Sequence, residues 1–344
     1  GLAAALDLSQ KSLDVCLFER GDWPRDRACG EGILPQGLAA LRGLGVELSG
    51  MPIRGIEYHD PRVGVARGGF GGAEALGVRR LALSLALLET SQGRVDLRAN
   101  CPVEGLERHA DGWLLDTPNG QLVARFVVVA DGPRSALRKK LGFDAPPPVG
   151  FKRFGWRQHV RVAPPNDHVE VHWAKGCEAY LTPVAEDELG LAFLWGEGVE
   201  VPQGPDRLLA WLQRFEGLAE RFADVETCST GRGIGPMAVA ARRATFEHGC
   251  FVGDALAFYD GITGEGLSAA FEQAHLLASL LPDTLSQANH PRLERALLGS
   301  LKAKRRLAKQ VLLLHRRPAL RRRVISLFIA QPKIFGWALR KGLS

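Results

Sequence analysis

Paired cysteines are missing from this sequence. Its six cysteines, Cys16, Cys29, Cys101, Cys177, Cys228 and Cys250, are scattered with no C-x-x-C pair. That excludes zinc-ribbon and thioredoxin-type sites and suits a reduced, cytoplasmic setting. Long apolar runs are missing too: residues 324–330 lie between Arg323 and Gln331, far short of the ~20 residues that a membrane-spanning helix needs. Among the nine histidines there is no H-E-x-x-H; His168 and His172 share a face of a predicted strand without a third ligand nearby, so no metal site is expected. Nor is there a G-x-S-x-G elbow, which removes the usual acyl-transfer nucleophile. Disorder and low complexity are excluded by 46% hydrophobic and 24% charged residues.

What is present is enough chain, 344 residues, for roughly two domains by the ordinary domain size. The net charge of +6 is unevenly spread: residues 291–344 carry fifteen Lys or Arg against the single acid Glu294, leaving the rest of the chain at −8. Such a tail suits a solvated helical face or peripheral contact with an anionic membrane. Only Phe328, Phe335 and Trp337 interleave its charges, too few for a stacking platform, so nucleic acid is not an expected partner.

Residues 2–10 read as a helix and 14–19 as a buried strand ending in an acid, half of a βαβ unit. Helices follow at 34–44 and at 81–89, the latter with Leu81, Leu83, Leu87 and Leu88 as its apolar side. A meander is predicted from 95–97, 103–109, 113–116 and 121–129, with Asn119-Gly120 as a turn. Its last segment, Phe126-Val127-Val128-Val129-Ala130, is β-branched and apolar enough to be covered on both faces. Ala145-Pro146-Pro147-Pro148 reads as a linker. Beyond it, 156–162, 168–173, 178–183 and 190–194 alternate like antiparallel strands, carrying Trp156, Trp173, Tyr180, Phe193 and Trp195 either as core or as walls of a substrate pocket. The first pattern returns at 250–254, followed by a helix at 267–281.

Two motifs carry the functional reading. Ala130-Asp131-Gly132-Pro133-Arg134-Ser135-Ala136-Leu137-Arg138, and Val252-Gly253-Asp254-Ala255 followed by Gly264-Glu265-Gly266-Leu267-Ser268, resemble signatures of the para-hydroxybenzoate hydroxylase and geranylgeranyl reductase superfamily. The segment Arg25-Asp26-Arg27-Ala28-Cys29-Gly30-Glu31-Gly32 and the helix start at Arg79-Arg80 are similar to further parts of that superfamily. The resemblance implies FAD as cofactor and NAD(P)H as electron donor. The fold it implies is α/β: a Rossmann-like FAD/NAD(P)-binding domain over 1–145 and 231–290, an inserted antiparallel substrate sheet over 146–230 with 51–78 as a candidate addition, and a basic helical tail over 291–344.

By the same resemblance, the cofactor-binding residues are Gly1, Glu19, Arg20, Arg25, Arg27, Cys29, Gly30, Arg80, Val103, Asp131, Gly132, Gly253, Asp254, Gly264, Gly266, Leu267 and Ser268. Gly1 stands where the third glycine of G-x-G-x-x-G opens a helix, and Glu19 where an acid meets the ribose. The superfamily's first strand and first two glycines are then expected to precede Gly1. Glu31 is read either as a general acid or base or as an acceptor of backbone hydrogen bonds, and Cys29 either as a relay or as a small filler. Tyr259-Asp260-Gly261-Ile262 departs from the hydroxylase pattern, whereas the C-G-E-G form is closer to the reductases. The implied activity is an NAD(P)H-dependent monooxygenase of an aromatic or hydrophobic small molecule, or alternatively a reductase of isoprenoid double bonds. An inactive fragment and a membrane-surface binding module are the remaining alternatives.

Overall fold

The computed structural model describes residues 1–146, 152–282, 285 and 287–342. One half is built on short parallel pairs: Cys16–Phe18 with Asp96–Arg98, and Val127–Val129 with Gly249–Phe251. Their β-branched and apolar residues suit strands covered on both faces. The helix Leu2–Ser9 buries Ala3, Ala4, Ala5 and Leu6, small side chains that let it pack closely against the helix Gly266–Leu280.

Two sequence expectations need correction here. Residues 95–97 do not open the meander, because Asp96–Arg98 pairs with the first strand; the meander is Gly105–His109, Gly112–Thr117 and Gly120–Ala124, turning at Asn119-Gly120. Leu81 is 42% exposed while Leu83 and Leu87 are buried, because only the last two, four residues apart, share a face of the helix Arg80–Ser91. Of the expected linker, Pro147 and Pro148 lie outside the described residues.

The second half is an eight-stranded sheet in the order Glu226–Thr227, Arg153–Arg161, Glu188–Gly196, Cys177–Ala185, His168–Ala174, Gly55–Asp60, Gly64–Gly69, with Arg232–Ile234 also on Arg153–Arg161. The segment 51–78 thus contributes two strands, joined to the rest through a parallel pair of Gly55–Asp60 and His168–Ala174. A small sheet of Gly32–Ile33, Ala75–Gly77 and Met51–Ile53 crosses beside it. At that crossing Gly77 has no room for a side chain, since a Cβ would stand 1.7 Å from the Pro183 carbonyl oxygen. One face of the large sheet packs Leu191, Phe193 and Trp195 against Trp211 and Phe215 around the helix Arg207–Leu212. The opposite face turns to the first half.

The tail forms three helices, Pro291–Arg316, Pro318–Ala330 and Pro332–Gly342, each opening on the proline that its first turn tolerates. Leu293, Leu297 and Leu301 enter the core of the first half, while Ile325 and Phe335 are buried over the edge strand Gly64–Gly69. Among the described residues no helix is long and apolar enough to cross a membrane.

Candidate functional site

A cavity of about 1880 Å³ runs from the parallel strands to the tail helices. Every residue singled out in the sequence as cofactor-binding lines it, with one exception. Ser268 is buried in the first turn of the helix Gly266–Leu280, where its hydroxyl faces Gly37 of the helix Pro35–Gly43. Its place is helix packing rather than the cavity wall.

At the nucleotide end, Glu19 leaves the strand Cys16–Phe18 and pairs with Arg27 at 3.7 Å, with Gly1, Arg20 and Val103 beside it on the wall. Arg27 and Arg80 direct positive charge at the start of the helix Leu2–Ser9. Burial holds the Arg27 guanidinium below its usual range. Arg80 Nη1 is buried with no hydrogen-bond partner among the described residues. A buried cationic donor without an acceptor beside a helix N-terminus is a fitting site for a pyrophosphate.

Asp254 lies in the turn Gly253–Ala255, which follows the strand Gly249–Phe251. Burial pushes its carboxyl up to about 6, against the pull of Arg27 and Arg80. Gly264 takes φ +69° just before the helix Gly266–Leu280, and a Cβ at Gly264, Gly266 or Gly30 would meet nothing within 4 Å. These bare backbones form a cradle that a flat ring system can approach. The residues present therefore fit FAD: Arg27 and Arg80 would hold its phosphates, Asp254 would accept a sugar-alcohol hydroxyl and the glycines would leave space for the ring.

The motif from Asp131 to Arg138 has a role the sequence reading missed. Buried Arg138 pairs with Asp144 at 2.6 Å and donates to the Ala255 carbonyl at 2.8 Å and the Pro133 carbonyl at 3.0 Å. It ties the loop holding Asp131 and Gly132 to the turn holding Asp254. Arg134 donates to the Gly235 carbonyl at 2.6 Å, linking that loop to the large sheet.

The large sheet also holds the loop of Arg25, Arg27, Cys29 and Gly30. Arg157 pairs with Asp26 at 2.5 Å and donates to the Arg27 carbonyl at 2.9 Å; Thr182 donates to the Gly30 carbonyl at 2.8 Å. The Arg25 backbone N–H donates to Ser84 Oγ at 2.8 Å. Burial raises Asp26, yet Arg157 and Arg232 overcome it and hold the carboxyl below the usual range. Glu31, at φ +61°, does more than accept a backbone bond: Oε1 takes the Arg80 N–H at 2.8 Å while Oε2 meets His159 Nε2 at 2.5 Å. The Cys29 thiol accepts the Glu31 N–H at 3.3 Å, and burial pushes its pKa up, keeping it protonated.

Farther along, the wall turns apolar: Ile56 and Tyr58, Val169 and Trp173, Tyr180 and Leu194 from the sheet, then Leu307, Val311 and Leu339 from the tail helices. Trp156 and Phe193 contribute as well, whereas Trp195 lies behind the sheet against Trp211 at 4.8 Å. Burial holds the Tyr58 phenol up to about 12. Tyr180 donates to the Ile262 carbonyl at 3.0 Å, and Asp260 pairs with Arg153 at 2.9 Å. Tyr58 and Leu339 escaped the sequence reading, and Leu307 and Val311 stood there as apolar tail positions without a cavity role; Ile56 and Tyr58 alternating with Glu57 and His59 was the signal that would have shown a cavity-facing strand.

No third ligand was expected near His172. His172 does have ligand-type neighbours, Glu170 two residues before it and His59 on the paired strand.

Residues 1–311 match the model of the family described as FAD binding domain. Among curated proteins, the chain is 24% identical over 315 residues to the menaquinone reductase of Mycolicibacterium smegmatis, covering 82% of this chain and 73% of that protein. Among solved structures, it is similar to a flavoprotein/dehydrogenase from Cytophaga hutchinsonii at TM-score 0.80 and 18% identity, covering 92% of this chain and 83% of that one. A flavin-dependent brominase aligns at TM-score 0.84 and 15% identity, covering 99% of this chain and 91% of the brominase. The chain belongs to the FAD binding domain family and is an FAD-dependent oxidoreductase.

Proposed function

We propose that this chain uses NAD(P)H to hydrogenate a carbon–carbon double bond in an isoprenoid substrate, of the class to which prenylated quinones belong. The observation that carries the reading is the apolar limb of the cavity, which leads from Gly264 to Leu307, Val311 and Leu339 of the tail helices. A flexible prenyl chain suits such a limb better than a compact polar substrate does. The menaquinone reductases among the sequence relatives support the same substrate class.

Held by Arg27, Arg80 and Asp254, FAD reduced by NAD(P)H would supply a hydride for one carbon of the double bond, and a proton from the protein or solvent would complete the other. The protein's part is placement, exclusion of water and proton custody. Tyr58 and Cys29 both line the cavity, and burial raises the phenol and the thiol alike, so two neutral donors rather than anions stand on its wall. Glu31, held by Arg80 N–H and His159, fixes the loop on which Cys29 sits.

A second reading, hydroxylation of an aromatic substrate, is favoured by the cluster of Tyr58, Trp173 and Tyr180 on the same wall. One experiment separates the two: flavin-loaded protein is given NAD(P)H and a prenylated quinone without oxygen, and the product is weighed by mass spectrometry. Gain of two hydrogens in the prenyl chain, retained after the ring is reoxidised to the quinone, supports the reductase. Substrate unchanged without oxygen, with an oxygen atom gained by an aromatic substrate in air, replaces it with the monooxygenase.

The proposal extends to a peripheral membrane partner, since such a substrate resides in a bilayer. Support comes from the tail: Leu313, Leu327, Ile329, Ile334 and Trp337 are exposed there among its lysines and arginines.

A further inference from the structure

On the face of the large sheet turned away from the cavity, two strands repeat the same short pattern. Glu57-Tyr58-His59 lies on Gly55–Asp60 and Glu170-Val171-His172 on His168–Ala174. The parallel register sets Glu57 opposite Glu170 and His59 opposite His172. Alternation then sends all four side chains to one face while Tyr58 and Val171 line the cavity on the other.

Like groups placed directly opposite one another oppose strand pairing unless something lies between them. The carboxylates have counterions: Arg67 meets Glu57 at 2.6 Å, and Arg221 donates to both oxygens of Glu170 at 2.7 and 2.9 Å. The imidazoles instead stack, ring centres 4.2 Å apart, and bring both Nε2 atoms to one oxygen, Glu170 Oε2, at 2.9 Å from His172 and 3.9 Å from His59.

We propose that His59 Nε2, His172 Nε2 and Glu170 Oε2 form a site for a borderline divalent transition ion such as Zn²⁺ or Co²⁺, which staples the two strands together. The three donor atoms lie within 4.8 Å of one another, whereas tetrahedral ligands on zinc stand about 3.4 Å apart given bonds of ~2.0–2.1 Å. Rotamer adjustment of about an ångström closes the set. Glu57 Oε2, 2.9 Å from His59 Nε2, is placed to supply the fourth ligand. Two imidazole nitrogens with carboxylate oxygen select a borderline ion over Ca²⁺ or Mg²⁺, which prefer all-oxygen shells. The paired N–H groups of Arg221 fix the Glu170 carboxylate, the outer-shell support that ligating carboxylates usually have. His59 keeps 24% of its side chain exposed and gives the ion its entry.

The site needs neither FAD nor the substrate assigned above, so its failure leaves that reading untouched. The test titrates flavin-loaded, chelator-treated protein with Co²⁺, read by visible absorption at wavelengths beyond the flavin, and with Zn²⁺, read by melting temperature. One equivalent should bind per chain, with a rise in melting temperature set by mass action. The variants His59→Asn and His172→Asn should each weaken binding at least 10-fold while flavin content and far-ultraviolet circular dichroism stay unchanged. Should a variant lose its fold, Glu170→Gln, which keeps both imidazoles and the shape of the acid, provides the comparison. Absence of a cobalt band in the unaltered protein overturns the proposal, as does a His59→Asn/His172→Asn double variant that binds as the unaltered chain does.

Discussion

Arg80 and Asp254 bear on the cavity in opposite senses. The orphaned Nη1 of Arg80 already carries the cost of desolvation, and an anionic ligand would relieve it. Charge-assisted hydrogen bonds contribute about 1.5–3 kcal/mol each. Arg80→Met is therefore expected to weaken FAD binding by at least about 10-fold in a flavin-fluorescence titration, with little loss of melting temperature in the flavin-free protein. Equal affinity in both proteins would take Arg80 out of the site. Asp254 behaves differently because burial lifts its folded pKa to about 6, above the ~3.9 of an unfolded aspartate. Between those values the folded state binds more protons, so stability falls as pH rises through the window, by about 3 kcal/mol in total at 1.36 kcal/mol per unit. Flavin-free protein should melt lower at pH 7 than at pH 5 by more than Asp254→Asn does, and bound FAD, by donating a hydroxyl to the carboxylate, should narrow that difference. The place of both residues on the cavity wall was legible in the sequence because glycine and charge sit at fixed offsets around them. Ser268 shared those offsets and still fell outside the cavity, since one helical step of about 100° separates it from Leu267.

At the scale of elements, helices and strands followed the hydrophobic period, and the two halves of the fold were legible from the change of period near Ala145. What stayed hidden was long-range pairing. Nothing local in Gly55–Asp60 says that it joins His168–Ala174, and such non-local register depends on the whole sheet. Hidden too was the burial of Arg153, Arg157 and His159, which alternate along Arg153–Arg161 as a solvent-facing edge would, yet are 4%, 1% and 1% exposed. The loop 25–31 covers Arg157 and His159 through Asp26 and Glu31, while Glu178 and Asp260 meet Arg153, and these polar groups replace water. Arg157 is the strongest test of this arrangement. It lies 2.5 Å from Asp26 and 3.5 Å from buried Glu31, so Arg157→Leu leaves at least one buried carboxylate short of a partner. Removing one member of a buried pair costs about 3–5 kcal/mol; with Arg232 still at 3.3 Å from Asp26, the lower end is expected. Urea denaturation should show that loss, and FAD affinity should fall with it because Arg27, Cys29 and Gly30 ride on the same loop. Unchanged stability together with weakened FAD binding would mean that Arg157 acts on the ligand and does not clamp the loop.

For the molecule as a whole, the sequence showed where the charge lies but not how the tail divides its faces. Leu293, Leu297, Leu301, Ala308 and Leu312 form a stripe at helical spacing that packs inward, and buried Arg321 reaches Asp60 at 3.3 Å. The residues left outside join two properties that soluble surfaces keep apart: exposed Ile334 and Trp337, at 41% and 54%, beside Lys333, Arg340 and Lys341. The inner side of the same helices lines the cavity through Leu307, Val311 and Leu339, so a surface resting on lipid would stand next to the apolar limb. Each lysine or arginine near an anionic bilayer contributes about 1 kcal/mol, and the Debye length shrinks from ~10 Å at 0.1 M salt to ~3 Å at 1 M. Full-length protein is therefore expected to co-sediment with vesicles containing phosphatidylserine at low salt, to release at high salt, and to bind neutral phosphatidylcholine vesicles weakly. Trp337→Ala should reduce the residual binding that survives salt, since that part is apolar burial. Lys333→Glu with Arg340→Glu should abolish the salt-sensitive part while flavin content holds. Vesicle binding that ignores both salt and lipid charge would detach the tail from the membrane reading, and the apolar limb would then have to be filled from solution.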